Sequence, residues 1–249
     1  MPLDPTTLIF LVLAAFAAGF VDSIAGGGGL ITLPALLIAG VPPVTAVATN
    51  KLQSTFGTAM ASYRYWREGL VDWRDLRLAA PATLVGAVLG GYSLRWIDPT
   101  ILARAIPILL IGIALYFAFG PKASDQDSRA RLSALAFALL IAAPIGFYDG
   151  LLGPGTGSFF AVGFVTMAGF GLLRATANTK ILNFVSNISG LVVYMINGDV
   201  IYALGLLMAV GQTAGAQLGA STAIMHGSKI IRPLIVVVSC AMAFRLFLR

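Results

Sequence analysis

Apolar segments of near-membrane length follow one another along almost the whole chain, at 6–24, 30–40, 47–66, 76–96, 100–119, 132–148, 157–170, 175–196, 200–223 and 230–248. Most approach the ~20 residues that an α-helix needs to cross the hydrocarbon core of a bilayer. Backbone in lipid must satisfy its own hydrogen bonds, which leaves only helices or a closed barrel. These runs are too long for barrel strands and lack their alternating pattern. The expected fold is therefore an all-α polytopic membrane protein, with the lipid bilayer as its first partner. Composition agrees: of 249 residues 58% are hydrophobic and 10% are charged, against about 25% charged in a soluble domain. Residues 1–249 read as a single transmembrane domain.

The second and seventh segments are clearly shorter than the rest. Each follows a glycine cluster, and each cluster follows an aspartate. The first copy reads GFVDSIAGGGG (Gly19–Gly29) and the second GFYDGLLGPGTG (Gly146–Gly157). Both short segments read as half-helices after a glycine-rich break. The likeness continues downstream. ATNKLQS (Ala48–Ser54) aligns with ANTKILN (Ala177–Asn183), Tyr65 with Tyr194, Gly69 with Gly198, and Gly86 and Gly90 with Gly215 and Gly219. The chain is expected to be two homologous halves of five segments, about 1–120 and 132–249, joined by the polar linker 120–131. The small-residue ridges at Gly86/Gly90 and Gly211/Gly215/Gly219 suit close backbone approach between helices.

An odd number of segments per half inverts the second half relative to the first. The basic residues agree with that arrangement. Arg64, Arg67, Arg74, Arg77, Lys122, Arg129, Arg131, Arg174, Lys180, Lys229 and Arg232 fall on one side; Lys51, Arg95, Arg104, Arg245 and Arg249 fall on the other. Fusing each half-helix with its neighbour into one broken span nearly abolishes this bias. The positive-inside rule thus favours inverted repeats with both termini outside, on the periplasmic side.

Glycine clusters and charged residues are costly inside apolar segments, so they mark the candidate site. Gly26, Gly27, Gly28 and Gly29, and Gly153, Gly155, Thr156 and Gly157 beside Pro154, cannot continue a helix. The half-helix after each break would offer N–H donors and a positive dipole end to an anion; the plainer alternative is a tight turn at the membrane surface. Asp22 and Asp149 would carry a coupling proton or hold a cation, or else cap the break through hydrogen bonds. Lys51 leads a polar, small-residue face with Asn50 and Ser54, and Lys180 leads one with Asn183 and Asn187. Asn178 and Thr179 are further donors at that level. A point charge among hydrogen-bond donors suits a small anionic substrate; the alternative is a lysine snorkelling to the interface.

Other chemistry is poorly served. One cysteine, Cys240, and one histidine, His226, supply neither a disulfide nor a clustered metal site, and no cofactor is expected. No metalloprotease, Walker or nucleophile–base pattern is visible, which argues against an enzyme. The basic residues form no dense run with interleaved aromatics, so no nucleic-acid partner is expected.

The stretch GFVDSIAGGGGLITLPALLIAGVPPVTAVATNKLQSTFGT resembles the TauE/SafE family, also called the sulfite exporter or TSUP family. The likeness lies in Asp22 before the glycine cluster, in Pro34, and in Ala-x-x-Thr-Asn-Lys opening the third segment. Similar features recur at Gly153–Gly157 and Asn178–Lys180, where the second half differs by Pro154 and by Asn-Thr-Lys order. The resemblance implies a multi-pass inner-membrane transporter, with substrates among sulfite, sulfonates and related sulfur anions. A transporter working by alternating access is the leading expectation, with a channel or passive pore on the same repeats as the alternative. The charge pattern predicts that alkaline phosphatase fused after Arg249 is active and that a fluorescent protein fused there stays dark; the reverse outcome would place the C-terminus inside.

Overall fold

A computed structural model describes residues 4–94, 126–231, 233, 234, 236 and 237. Among the described residues the regular elements are all helical, with no strand. The first half contributes α1 (Pro5–Ala25), α2 (Gly29–Ile38), α3 (Pro43–Arg67), the short α4 (Trp73–Leu76) and α5 (Ala79–Ser93). The second contributes α6 (Ala134–Leu151), α7 (Thr156–Ala168), α8 (Leu172–Ile196) and α9 (Tyr202–His226). The expected segment 100–119, most of 230–248 with Cys240, and the first part of the linker lie outside the described residues. His226 is the exposed last residue of α9.

Among the described residues three helices are both long and apolar enough to cross a membrane: α1, α6 and α8. At 25 residues each, α3 and α9 match them in length but carry more polar side chains. The ten residues of α2 rise only about 15 Å, half the thickness of the hydrocarbon core. Two π-helical turns, at Ala138–Ala142 in α6 and Phe164–Ala168 ending α7, were not foreseen from the sequence.

Helix ends follow local chemistry. Asp4 caps α1 by accepting the Thr7 N–H at 2.9 Å, with Pro5 at the first helical position. α3 and α8 end alike. Gly69 and Gly198 take positive φ, and the next amides, Leu70 N and Asp199 N, reach back to the carbonyls of Tyr65 and Tyr194. The two tyrosine hydroxyls also make equivalent bonds: Tyr65 donates to Ser23 O at 2.8 Å and Tyr194 to Gly150 O at 3.1 Å. Ser23 and Gly150 each directly follow the aspartate of their half. At the start of α8, the Arg174 guanidinium donates to Asp75 in α4 and to Asp127 in the linker, and lies 4.2 Å over the Phe170 ring.

The first helix of each half packs on a late helix of the other, α1 on α9 and α6 on α5. Glycines make both seams. A Cβ on Gly211, Gly215 or Gly219 would collide with the carbonyl of Val12, Phe16 or Phe20. A Cβ on Gly86 or Gly90 would collide with that of Ala143 or Phe147, and one on Gly146 or Gly150 with that of Thr83 or Ala87. Contacts advance together along both chains, so α1 runs parallel to α9 and α5 parallel to α6. α3 and α8 pack against each other between the seams.

These seams leave no room for a side chain. Gly90→Leu is expected to cost about 3 kcal/mol or more through overpacking. Gly198→Ala, with nothing within 4 Å of its Cβ, should cost only the backbone strain of φ +76°, about 1 kcal/mol. Unfolding by SDS in mixed micelles measures both, and equal losses would refute the close-packed seam.

Candidate functional site

The two glycine breaks touch. A Cβ on Gly26 would sit 2.5 Å from Gly157 Cα, and one on Gly157 would sit 2.6 Å from Gly26 Cα. Only two bare backbones can meet so closely. Gly26 at φ 77° also stops α1 in a conformation that L side chains rarely adopt. The Ser158 hydroxyl pins the contact by donating to Ala25 O at 2.9 Å. Two half-helices, one from each half, therefore begin side by side in the protein interior.

Each lysine pairs with the aspartate of the opposite half. Lys51 Nζ on α3 lies 2.8 Å from Asp149 Oδ1 on α6, with side chains 1% and 4% exposed. Lys180 Nζ on α8 lies 3.6 Å from Asp22 Oδ2 on α1, with side chains 1% and 15% exposed, and donates to the Asp22 carbonyl. The pairs differ in quality. Asp149 also accepts the Thr156 hydroxyl at 3.0 Å and the Ser186 hydroxyl, so both of its oxygens are engaged. Asp22 gives Oδ1 to the amides of Gly27 and Gly28, at 3.0 and 3.1 Å, and leaves Oδ2 in the longer contact with Lys180. Both aspartates thus hold their breaks, and the first amides after Asp22 are spent on its carboxylate.

A small cavity of about 20 Å³ lies where the breaks meet. Of the residues singled out from sequence, Asp22, Gly27, Gly29, Asn50, Lys51, Ser54, Asp149, Gly153, Thr156, Gly157 and Asn183 line it. Gly26, Gly28 and Gly155 lie in the backbone of the breaks beside it, and Lys180 Nζ stands just behind Gly157. Asn178 and Thr179 do not line it; the Asn178 amide donates to Arg174 O, on its own helix. Thr58, which the sequence reading passed over, extends the wall formed by Asn50 and Ser54 at the same spacing of four residues, and Asn187 does so for Asn183. The Asn50 side-chain oxygen accepts from Thr32 and Gln53, which leaves its NH₂ facing Gly29. Asn183 Oδ1 is buried with no hydrogen-bond partner among the described residues.

The wall therefore offers amide and hydroxyl groups with charge on two sides. It presents no nucleophile–base pair and, among the described residues, no metal-binding group of His, Cys, Asp and Glu. A volume of about 20 Å³ holds little more than a water molecule, so a larger solute enters only if the surrounding helices part.

A family profile described as "Sulfite exporter TauE/SafE" matches residues 11–246. A "Probable membrane transporter protein ORF9" from Sinorhizobium sp. is 51% identical over 239 residues, 96% of this chain and 92% of its own length. "Probable membrane transporter protein YfcA" from Escherichia coli K12 is 44% identical over 98% of this chain and 90% of its own length. A "Probable membrane transporter protein" of Haemophilus influenzae is 41% identical over 98% and 95%. No solved structure matches the chain.

Removing one partner of a buried pair strands the other charge, at about 3–5 kcal/mol. Lys51→Ala is expected to destabilise the protein by that amount, and Lys51→Ala with Asp149→Ala by less than the sum of the single losses. A double-mutant cycle in SDS-containing micelles measures the coupling. Strict additivity would mean that the pair does not form in the membrane.

Proposed function

The chain belongs to the sulfite exporter TauE/SafE family, and from that membership we propose that it is a secondary transporter moving a small sulfur-containing anion, of the sulfite or organosulfonate class, across the bacterial inner membrane by alternating access. The observation that carries this reading is the crossed pairing of Lys51 with Asp149 and Lys180 with Asp22 around a cavity where two broken helices meet. Broken backbone at membrane depth is tolerated only where it is buried in protein or lines a cavity, and ionisable side chains there mark substrate and ion pathways.

The anion binds between the breaks. Asn50, Ser54 and Asn183 supply polar groups, Gly29 and Gly157 begin the half-helices that face it, and the two lysines supply positive charge. Asp22 or Asp149 carries the coupling proton or holds a coupling cation. The halves are inverted five-segment repeats with both termini periplasmic. Support comes from helix direction: the corresponding helices α3 and α8 run antiparallel, Thr49 meeting Ile201 and Lys51 meeting Gly190, as inverted halves require. The confined cavity favours a carrier over an open pore, because passage needs the surrounding helices to move.

Proteoliposomes given labelled sulfite, sulfoacetate, taurine and thiosulfate test the reading. At least one is expected to enter faster than into protein-free vesicles. Asn50→Leu should cut that rate by about tenfold, the loss of one good hydrogen bond to a charged group. Thr222→Ala, on the exposed face of α9, should leave it unchanged. Single-channel currents in planar bilayers would sink alternating access in favour of a pore.

A further inference from the structure

The charges buried around the cavity cancel: Lys51 and Lys180 against Asp22 and Asp149. An anion that enters brings a negative charge with no buried counter-charge, and burying an uncompensated charge is strongly unfavourable. We propose that the substrate enters as a monoanion together with one proton, that the proton is carried on the Asp22 carboxylate, and that the anion takes over the Lys180 ammonium which that carboxylate then releases. The inference rests on the transporter reading above and adds its charge balance.

Geometry selects Asp22 over Asp149. Protonating Asp149 would disrupt a carboxylate already holding Lys51, Thr156 and Ser186. Asp22 keeps Oδ2 in the longer contact with Lys180, at 3.6 Å, and at 15% exposure it is the carboxylate that water reaches from the cavity. With a proton on Oδ2, its Oδ1 still accepts the amides of Gly27 and Gly28, so the break survives protonation. The proton forms an O–H bond on Oδ2 and leaves to water when the anion departs; no covalent bond of the anion changes.

Among the described residues the neighbourhood of Asp22 offers no other carrier. α8 presents Lys180. From α3 come the Tyr65 hydroxyl, which donates to Ser23 O, and Lys51 across the cavity, itself held by Asp149 of α6. α2 and α7 hold no titratable side chain, and α9 holds only Tyr202, exposed at its first residue, and His226 at its last, about two turns beyond the Gly219 contact with Ser23. The Lys51–Asp149 pair then remains closed throughout the cycle and serves as the fixed post of the site.

Proton counting tests this. Proteoliposomes of the full chain with a trapped pH dye are given labelled methanesulfonate, a permanent monoanion, and in a parallel arm labelled sulfite, each against protein-free vesicles. Uptake of methanesulfonate is expected to bring about one proton per anion, with an initial rate that does not change when valinomycin and a potassium gradient impose a voltage. Asp22→Asn, verified as folded by its melting curve in detergent, should still exchange anion at a reduced rate but lose at least about tenfold of the accumulation driven by a pH gradient. Voltage-driven, proton-free uptake by the wild type overturns the proposal and leaves the transporter reading standing. Undiminished pH-driven accumulation in Asp22→Asn overturns the assignment to Asp22. No uptake of methanesulfonate, sulfite, sulfoacetate, taurine or thiosulfate overturns both readings together.

Discussion

Two ion pairs, each joining a lysine of one half to an aspartate of the other, hold the centre of this protein together. Water is scarce at that depth, so each charge must find its counter-charge within the protein. That need fixes much else. The lysines must arrive on long helices that reach the centre, which α3 and α8 do at 25 residues each. The aspartates must stand where α1 and α6 end, one step before the chain breaks. The breaks must be glycine, because Gly26 and Gly157 come too close for side chains and Gly153 sits against both Asp149 and Lys51 Nζ.

The pairs are equivalent by position and unequal by chemistry. Pro154 and Thr156 in the second break accompany a carboxylate saturated with hydroxyl and ammonium donors. The four glycines of the first break leave room for backbone amides to bond Asp22 and for water to reach it. Of two similarly placed pairs, one is held by more and shorter contacts than the other. The cavity between them, about 20 Å³, would have to widen to admit a solute much larger than water.

Much of this was legible in the sequence, and the illegible part has a physical reason. Asp22 and Asp149, the glycine clusters and the two lysines stood out because each is locally expensive in an apolar segment. The half-helix at α2 was readable from length alone. The crossing of the pairs was not, because partnership between residues 98 positions apart depends on how helices are placed, and no local cost reveals it. Asn178 and Thr179 were grouped with Lys180 as neighbours in sequence. Consecutive residues on a helix point about 100° apart, so three in a row cannot all face one cavity. The same rule, applied at a spacing of four from Ser54, would have found Thr58. The amides of Gly27 and Gly28 looked like anion donors until the carboxylate a turn earlier was seen to occupy them.

The glycine seams carry a consequence for what can move. α1 is welded to α9, and α6 to α5, by backbone lying directly on backbone, and neither weld joins two helices of the same half. Under the alternating access proposed above, the bodies that rock against each other are exchanged composites, each built from both halves of the gene product. A half chain made alone would leave a strip of bare backbone turned towards lipid, with no partner to cover it.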